Sequence, residues 1–177
     1  MQQKMKPLVS ILMGSTSDLP VMEEAARVLD ELGIPFEMNA LSAHRTPELV
    51  EVFARSACHR GVKVIIAGAG MAAHLPGVVA ALTPLPVIGV PIKVTLEGLD
   101  AVFSILQMPP GIPVATVGIN AARNAGILAA QIIATGDSDL MEKITLLKQD
   151  LKKKIEQANQ ELQKVNFKFK CASEKNF

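Results

Sequence analysis

Five short apolar segments alternate with helix-forming segments between residues 8 and 135, and this alternation limits the possible folds more than any other feature of the sequence. Segments that are apolar throughout are typical of strands in a parallel sheet that helices cover on both faces. Because crossovers between parallel strands are right-handed, we predict a three-layer, doubly wound α/β fold, and we favour the strand order 2-1-3-4-5. The predicted strands span residues 8–13, 36–41, 62–67, 87–90 and 114–117. Among the predicted helices, the first ends at Gly33, the second runs from Pro47 to about Arg60, and Asn120 caps the last.

The composition argues against several functional classes. A net charge of +1 and an aromatic content of 3% give neither a basic footprint nor stacking platforms for nucleic acid. No segment approaches the ~20 apolar residues of a membrane helix, and the N-terminus lacks the cleavage signal of a secreted protein. The two cysteines, Cys58 and Cys171, predict reduced thiols in a cytoplasmic protein. Because the histidines and cysteines lack metal-ligand spacing, we expect no metal site.

The strongest chemical signal lies in the segment 42–47, which reads SAHRTP and follows the second strand. Histidine exchanges a proton near neutral pH, and the arginine fork matches phosphate or carboxylate oxygens. Thr46 and Pro47 are typical of an N-cap and a first helical position, so the pair lies beside a helix N-terminus that favours anions. We interpret His44 as a proton-transfer group and Arg45 as an anion ligand. A structural histidine and a solvated cation are the alternatives.

Two further loops follow strands 1 and 3. The hydroxyl and N–H groups of segment 14–18, which reads GSTSD, are suited to a phosphate, and Asp18 is suited to ribose hydroxyls. The alternative for this loop is an ordinary capped turn, with Ser17 or Asp18 as the N-cap. The third loop begins with Gly68-Ala69-Gly70, a turn without bulky side chains that a ligand can approach closely. The alternative for this segment is a tight turn with helix packing. His74, further along the same loop, either orients the loop or the ligand or only caps the next helix.

The predicted strand order brings these three loops together. In a doubly wound sheet of order 2-1-3-4-5, ligands bind beyond the carboxyl ends of the strands, at the switch point between strands 1 and 3. The loops that leave strands 1, 2 and 3 therefore become neighbours around one crevice. We predict a single ligand site there, with His44 and Arg45 facing a glycine-lined wall.

A long helix at 138–165 follows the alternating segments. Such a helix extends past what a small sheet domain can cover, and a hydrophobic content of 49% also exceeds the need of one small monomer. We therefore predict that this helix packs on another subunit. We assign 1–137 to the catalytic domain, 138–165 to its oligomerisation helix and 166–177 to a mobile tail. One narrow apolar stripe on the charged helix carries the prediction: Leu140, Ile144, Leu147, Leu151, Ile155, Ala158, Leu162 and Val165.

Several of these segments together resemble the N5-carboxyaminoimidazole ribonucleotide mutases of de novo purine synthesis. The matching stretches read MGSTSD, SAHRTPE, AGAGMAAHLPG, SILQMPPGIPVAT and NAGILAAQII, and they cover most of residues 8 to 135 in the family's order. The resemblance implies a flavodoxin-like fold, a cofactor-free homo-octamer and a C-terminal helix that packs on a neighbour. It also implies transfer of a carboxylate from N5 to C4 of an aminoimidazole ribonucleotide.

The resemblance implies roles for particular residues. His44 becomes the acid–base catalyst, and Gly68 to Gly70 with His74 form a pocket for carbon dioxide. The loop at 93–100 departs from the family, whose members carry a small, serine-rich stretch one residue longer there. The predicted ligand-binding residues are Ser15, Ser17, Asp18, Ser42, Arg45, Gly68, Ala69, Gly70, His74 and Leu75.

Two alternatives to the mutase stay open at this point. A related class of enzymes carboxylates 5-aminoimidazole ribonucleotide directly with carbon dioxide. A non-catalytic nucleotide-binding or flavin-like module is the other, because a fold alone does not determine a function.

Overall fold

The structure, a computed structural model, describes residues 5–171. Its strands form one parallel sheet in the order β2-β1-β3-β4-β5, which confirms the predicted order. The strands are β1 (Val9–Met13), β2 (Phe36–Ala40), β3 (Val64–Gly70), β4 (Val87–Ile92) and β5 (Ala115–Thr116). The helices are α1 (Leu19–Leu32), α2 (Pro47–Ala57), α3 (Leu75–Leu82), α4 (Leu99–Leu106), α5 (Ala122–Ala134) and α6 (Ser138–Gln163).

Two apolar clusters cover the two faces of the sheet and make the three layers. One cluster joins the sheet to α1, α5 and the start of α6, and the other joins it to α2, α3 and α4. Successive residues of β3 divide between them: Val64 and Ile66 belong to the first, Ile65 and Ala67 to the second. Because a strand exposes alternate residues to opposite faces, a central strand that is buried on both sides must be apolar throughout.

Helix boundaries follow mostly from local signals. Gly33, in the left-handed conformation (φ 74°), ends α1 as predicted. Thr46 occupies the N-cap position of α2, although its hydroxyl donates to the Ser42 carbonyl rather than capping the helix. The predicted extension of α2 to Arg60 is wrong, since the helix ends at Ala57 and turns lead into Gly61.

Two expectations about loops also needed correction. β3 continues to Gly70, so the segment from Gly68 to Gly70 is strand and not turn. This extension is stabilised by β4, whose residues pair with β3 as far as Ile92. Asn120 does not cap α5, whose N-cap residue is Ala121. Instead Asn120 lies in the left-handed conformation (φ 56°) and binds the loop after β4.

The C-terminal helix α6 packs on the domain only at its start. Leu140 and Ile144 are buried against the cluster that contains α1 and α5, whereas Leu151 and Ile155 are 52% and 65% exposed. Residues 164–171 contain neither helix nor strand, and the rest of the predicted tail, 172–177, lies outside the described residues. Between residues 5 and 171, no helix is both long and apolar enough to cross a bilayer.

Candidate active site

A recess of about 510 Å³ lies beyond the carboxyl ends of β1, β2 and β3, at the predicted switch point. Side chains and backbone of the three predicted loops line it together. The predicted residues that line it are Ser15, Ser17, Asp18, Ser42, His44, Arg45, Ala69, Gly70, His74 and Leu75. The sequence therefore predicted the location of the recess correctly, and the roles of these residues remain predictions.

The loop after β1 is an ordered turn whose polar groups partly satisfy one another. Ser15 Oγ accepts from the Ser17 amide (3.1 Å), and the Asp18 carboxylate accepts from the Ser15 amide (3.2 Å). This reciprocal pair is a capping box on a short helical turn at Thr16–Asp18, so the capped-turn alternative is also realised, with Ser15 as the cap. Ser17 is exposed and Asp18 is buried at the wall of the recess.

The loop after β2 positions the arginine. Arg45 Nε donates to Ser42 Oγ (3.2 Å), and Arg45 Nη2 donates to the Gly14 carbonyl (2.7 Å). The guanidinium therefore joins the loops after β1 and β2. Because an arginine carries five N–H donors, these two bonds leave further donors for an anion in the recess.

His44 and His74 meet at the rim of the recess. His44 Nε2 lies 2.8 Å from His74 Nδ1, and the two rings pack edge to face at 4.9 Å. One of these two nitrogens must be unprotonated to accept the hydrogen bond. The two rings therefore share the proton between them and do not both carry a positive charge while this bond is present. His74 occupies the N-cap position of α3 without a capping hydrogen bond, which favours the orienting role over the capping role.

The end of β3 forms the small-residue wall. Ala69 and Gly70 line the recess, whereas Gly68 lies outside its lining, and a ligand contact at Gly68 stays a prediction. A Cβ on residue 68 would lie 2.3 Å from Met22 Sδ, so the packing of α1 on the sheet also favours a glycine here. The remainder of the loop turns through Met71, which adopts the left-handed conformation (φ 56°).

Five lining residues were absent from the predicted set: Gly14, Ala43, Met71, Ala72 and Val94. The first four lie inside the quoted motifs, so the motifs were the right signal and the selection within them was too narrow. Val94 comes from the loop after β4. The available signal was the strand order, because β4 is the neighbour of β3 and its following loop must lie beside the site.

Residues 5–171 contain no group of three histidine, cysteine or carboxylate side chains that could hold an ion. The recess instead combines two imidazoles, a guanidinium, hydroxyl groups and one carboxylate. This set is suited to binding an anionic, hydroxylated ligand and to moving a proton on it.

The fold and this recess define a flavodoxin-like α/β protein with acid–base side chains at the carboxyl edge of its sheet. Residues 8–154 match the AIR carboxylase family, and the chain belongs to that family. Two curated relatives are called N5-carboxyaminoimidazole ribonucleotide mutase. The one from Pyrococcus horikoshii is 55% identical over 163 residues, which is 92% of this chain and 92% of that protein. The one from Thermotoga maritima is 53% identical over 163 residues, or 92% of this chain and 95% of that protein.

A longer relative and two crystal structures extend the comparison. The Schizosaccharomyces pombe protein called phosphoribosylaminoimidazole carboxylase is 53% identical over 92% of this chain, which matches 30% of that protein. Treponema denticola PurE has a TM-score of 0.81 at 31% identity, covering 89% of this chain and 99% of that chain. A serine-to-aspartate variant of Treponema denticola PurE2 has a TM-score of 0.82 at 31% identity, covering 90% and 100%.

Proposed function

We propose that this protein is an isomerase that converts N5-carboxyaminoimidazole ribonucleotide into 4-carboxy-5-aminoimidazole ribonucleotide in purine biosynthesis. The observation that carries the proposal is the hydrogen-bonded pair of His44 and His74 at the rim of the recess, in a chain of the AIR carboxylase family. Relatives that match 92% of the chain at 53% and 55% identity bear the mutase name.

Binding of the ribonucleotide uses the polar side of the recess. The Arg45 guanidinium and the exposed Ser17 hydroxyl are suited to the phosphate, because both are donors that already face the same opening. The Asp18 carboxylate is held by the Ser15 amide and is suited to the ribose hydroxyls. Ser42 acts on the phosphate indirectly, since its hydroxyl holds the guanidinium.

Transfer of the carboxylate uses the small-residue side of the recess. The carbamate C–N bond breaks, N5 takes a proton, and neutral carbon dioxide remains against Ala69 and Gly70. Exclusion of water favours this step because negative charge is lost from the carboxylate. C4 then forms the new C–C bond and releases its proton, so that the ring regains its aromaticity.

One imidazole can serve both proton transfers. His44 donates the proton to N5 and later accepts the proton from C4, and it ends the cycle in its starting state. His74 positions His44 through their 2.8 Å hydrogen bond and can take up part of the charge. General acid–base catalysis of this kind typically contributes ~10²–10⁴-fold to the rate.

The assembly and the setting of the enzyme follow as parts of the same proposal. The exposed apolar stripe beyond Leu147 on α6 is suited to packing on further copies of the chain, and the family resemblance favours a homo-octamer without a cofactor. Cys58 and Cys171 are free thiols at exposed positions, as expected for work in the cytoplasm.

Direct carboxylation is the second candidate, because the Schizosaccharomyces pombe relative carries the carboxylase name. The purified protein would be given either the N5-carboxylated substrate or 5-aminoimidazole ribonucleotide with bicarbonate, and formation of the C4 product would be followed by chromatography. We expect efficient conversion of the N5-carboxylated substrate alone. Conversion only of the second mixture would identify a carboxylase, and turnover of neither would refute both functions.

A further inference from the structure

Val94, in the loop after β4, lines the recess beside Gly70. A Cβ built on residue 70 would lie 2.5 Å from Val94 Cγ2, so the valine methyl group occupies the space that any larger residue would need. The backbone of Gly70 is not in the left-handed region, so the requirement for glycine here comes from this close approach. Val94 and Gly70 therefore fit each other as a pair.

The backbone before Val94 is anchored to the loop after β5. The Lys93 amide donates to Asn120 Oδ1 (2.9 Å), and the Asn120 amide donates to the Pro91 carbonyl (2.8 Å). These two bonds join the end of β4 to a residue that is 27 positions away from Lys93 in the sequence. As a β-branched side chain, Val94 also has few rotamers, so an anchored backbone fixes its methyl groups closely.

The backbone after Val94 is held in an unusual conformation. Leu96, Glu97 and Gly98 are consecutive left-handed residues, with φ of 43°, 57° and 86°. Ile119 packs so closely on Gly98 that a Cβ there would lie 2.9 Å from Ile119 Cγ2. Such a conformation persists only where the surroundings fix it, so the loop is shaped before any ligand arrives.

Two side-chain interactions close the loop on itself. Lys93 forms an ion pair with Glu97, and the Thr95 hydroxyl donates to the Asp100 carboxylate. The Gly98 amide also donates to the Thr95 carbonyl (2.7 Å). The loop therefore has its own polar network, and Val94 is its apolar side chain in the recess.

We propose that Val94 is a specificity-determining residue that retains carbon dioxide in the recess between its release from N5 and its capture by C4. This inference rests on the proposed function. Carbon dioxide is neutral and small, so ion pairs cannot hold it as they would hold a charged ligand. The shape of the wall must hold it instead. Val94 borders the recess beside Gly70 and is 56% exposed in the single chain, so its methyl groups lie between the small residues Ala69 and Gly70 and the solvent.

The atom balance of the reaction shows which compound would accumulate if carbon dioxide escaped from the recess. Cleavage of the carbamate C–N bond, with a proton from His44 to N5, gives carbon dioxide and 5-aminoimidazole ribonucleotide. If carbon dioxide stays, C4 bonds to its carbon and returns one proton to His44, and nothing else is gained or lost. If carbon dioxide escapes, free 5-aminoimidazole ribonucleotide accumulates, and product then forms only by capture of carbon dioxide from solution.

The experiment follows the carboxylate carbon. Substrate labelled with ¹³C in the N5-carboxylate would be converted in buffer that contains unlabelled bicarbonate and carbonic anhydrase, and mass spectrometry would give the ¹³C fraction at C4. We expect the wild type to retain the label. In Val94→Ala, which removes two methyl groups, we expect label loss and a rise of at least roughly tenfold in free 5-aminoimidazole ribonucleotide per product, since a single missing methylene already changes discrimination in an apolar pocket by about tenfold or more.

Two control variants separate the shape of the wall from general damage. Val94→Thr keeps the branched shape and should retain the label. Val52→Ala makes the same truncation at a valine on α2 that is 67% exposed and does not line the recess, and it should behave as the wild type. Wild-type label retention in Val94→Ala would overturn the inference and leave the mutase function intact, whereas a wild type that cannot convert the substrate would overturn both.

The pairing of Val94 with Gly70 gives an independent measurement. Gly70→Ala should lower turnover because its methyl group meets Val94 Cγ2 at 2.5 Å. Adding Val94→Ala to that variant should restore part of the turnover, since it removes the methyl group at 2.5 Å and leaves the Ile92 carbonyl oxygen at 3.1 Å. A double variant no better than Gly70→Ala would show that Val94 does not shape this wall.

Discussion

At the carboxyl edge of the sheet, hydrogen bonds join loops that are distant in the sequence, whereas along the distal half of α6 the ion pairs join near neighbours. Arg45 reaches Gly14 across 31 positions. On α6, Lys152 pairs with Glu156 at 3.7 Å, one helical turn away. Both groups of interactions lie at the surface, but only the first depends on the tertiary fold.

The backbone shows the same contrast. The left-handed residues other than glycine are Met71, Leu96, Glu97 and Asn120 within the described residues, and all four follow strands at the carboxyl edge. Such conformations cost of order 1–3 kcal/mol each and persist only where the surroundings fix them. The loops around the recess are thus joined by contacts within the chain, whereas the distal apolar stripe of α6 is exposed in the described part of the chain.

Replacing His44 should change the activity more than any other substitution at the carboxyl edge of the sheet. We expect His44→Asn to lower kcat by about 10²–10⁴-fold, because the proton donor and acceptor is lost. Ligand affinity and the melting temperature should stay close to wild type, since His44 is exposed and outside the core. Steady-state kinetics and a thermal melt would check this. Near-normal turnover would remove His44 from the mechanism.

Replacing the guanidinium should have the next largest effect. We expect Arg45→Ala to raise KM by about ten- to hundredfold, the range for charged hydrogen bonds to a ligand. Arg55→Ala is the matched control, because Arg55 forms an exposed ion pair with Glu51 (2.8 Å) on α2 and should leave KM unchanged. An unchanged KM in both variants would argue against a phosphate contact at Arg45.

A charged residue on the apolar stripe of α6 tests whether this stripe contacts another subunit. We expect Leu151→Asp to reduce the mass of the assembly in sedimentation experiments. The circular dichroism spectrum should remain that of a helical protein, because the Leu151 side chain is 52% exposed in the single chain. Gln160→Asp places the same charge on the opposite side of α6 and should not change the mass. Equal masses for both variants would refute a subunit contact along the stripe and weaken the contrast between the two regions.

The smallest effect concerns an exposed ion pair between α1 and α5. The Arg123 guanidinium, through its hydrogen bond, lowers the pKa of Glu31 below its ordinary value of 4.5. The contribution of this pair to stability is therefore present above about pH 4.5 and is lost as the pH falls through the lowered pKa. We expect Glu31→Gln to lower the melting temperature by about 2 °C or less at pH 7, with the difference vanishing in acid. A difference that grows as the pH falls would contradict this sign.

The sequence predicted the fold class and the position of the recess because both depend on patterns that repeat along the chain. Unbroken apolar strands and short capped helices are local signals, and right-handed crossovers predict the doubly wound arrangement in which we favoured the order 2-1-3-4-5. His44 and Arg45 were found because they lie in one short segment after β2. None of these inferences needed a distance between remote residues.

The sequence was least informative where two distant segments meet. Gly68 was assigned to a ligand wall, but it lies outside the lining of the recess, and Met22 packs against it. Asn120 looked like a helix cap, and it instead holds Lys93. In each case the deciding partner is far away in the sequence, so no local pattern could reveal it.

By itself the sequence determined a doubly wound parallel sheet, a site at its carboxyl edge and the imidazole and guanidinium that occupy it. Only the tertiary structure decided that His74 binds His44, that β3 runs on to Gly70 and that Val94 packs against Gly70. The physical reason is that hydrophobic periodicity and capping act over a few residues. Side-chain contacts at the mouth of a sheet depend on how separate strands and loops pack together.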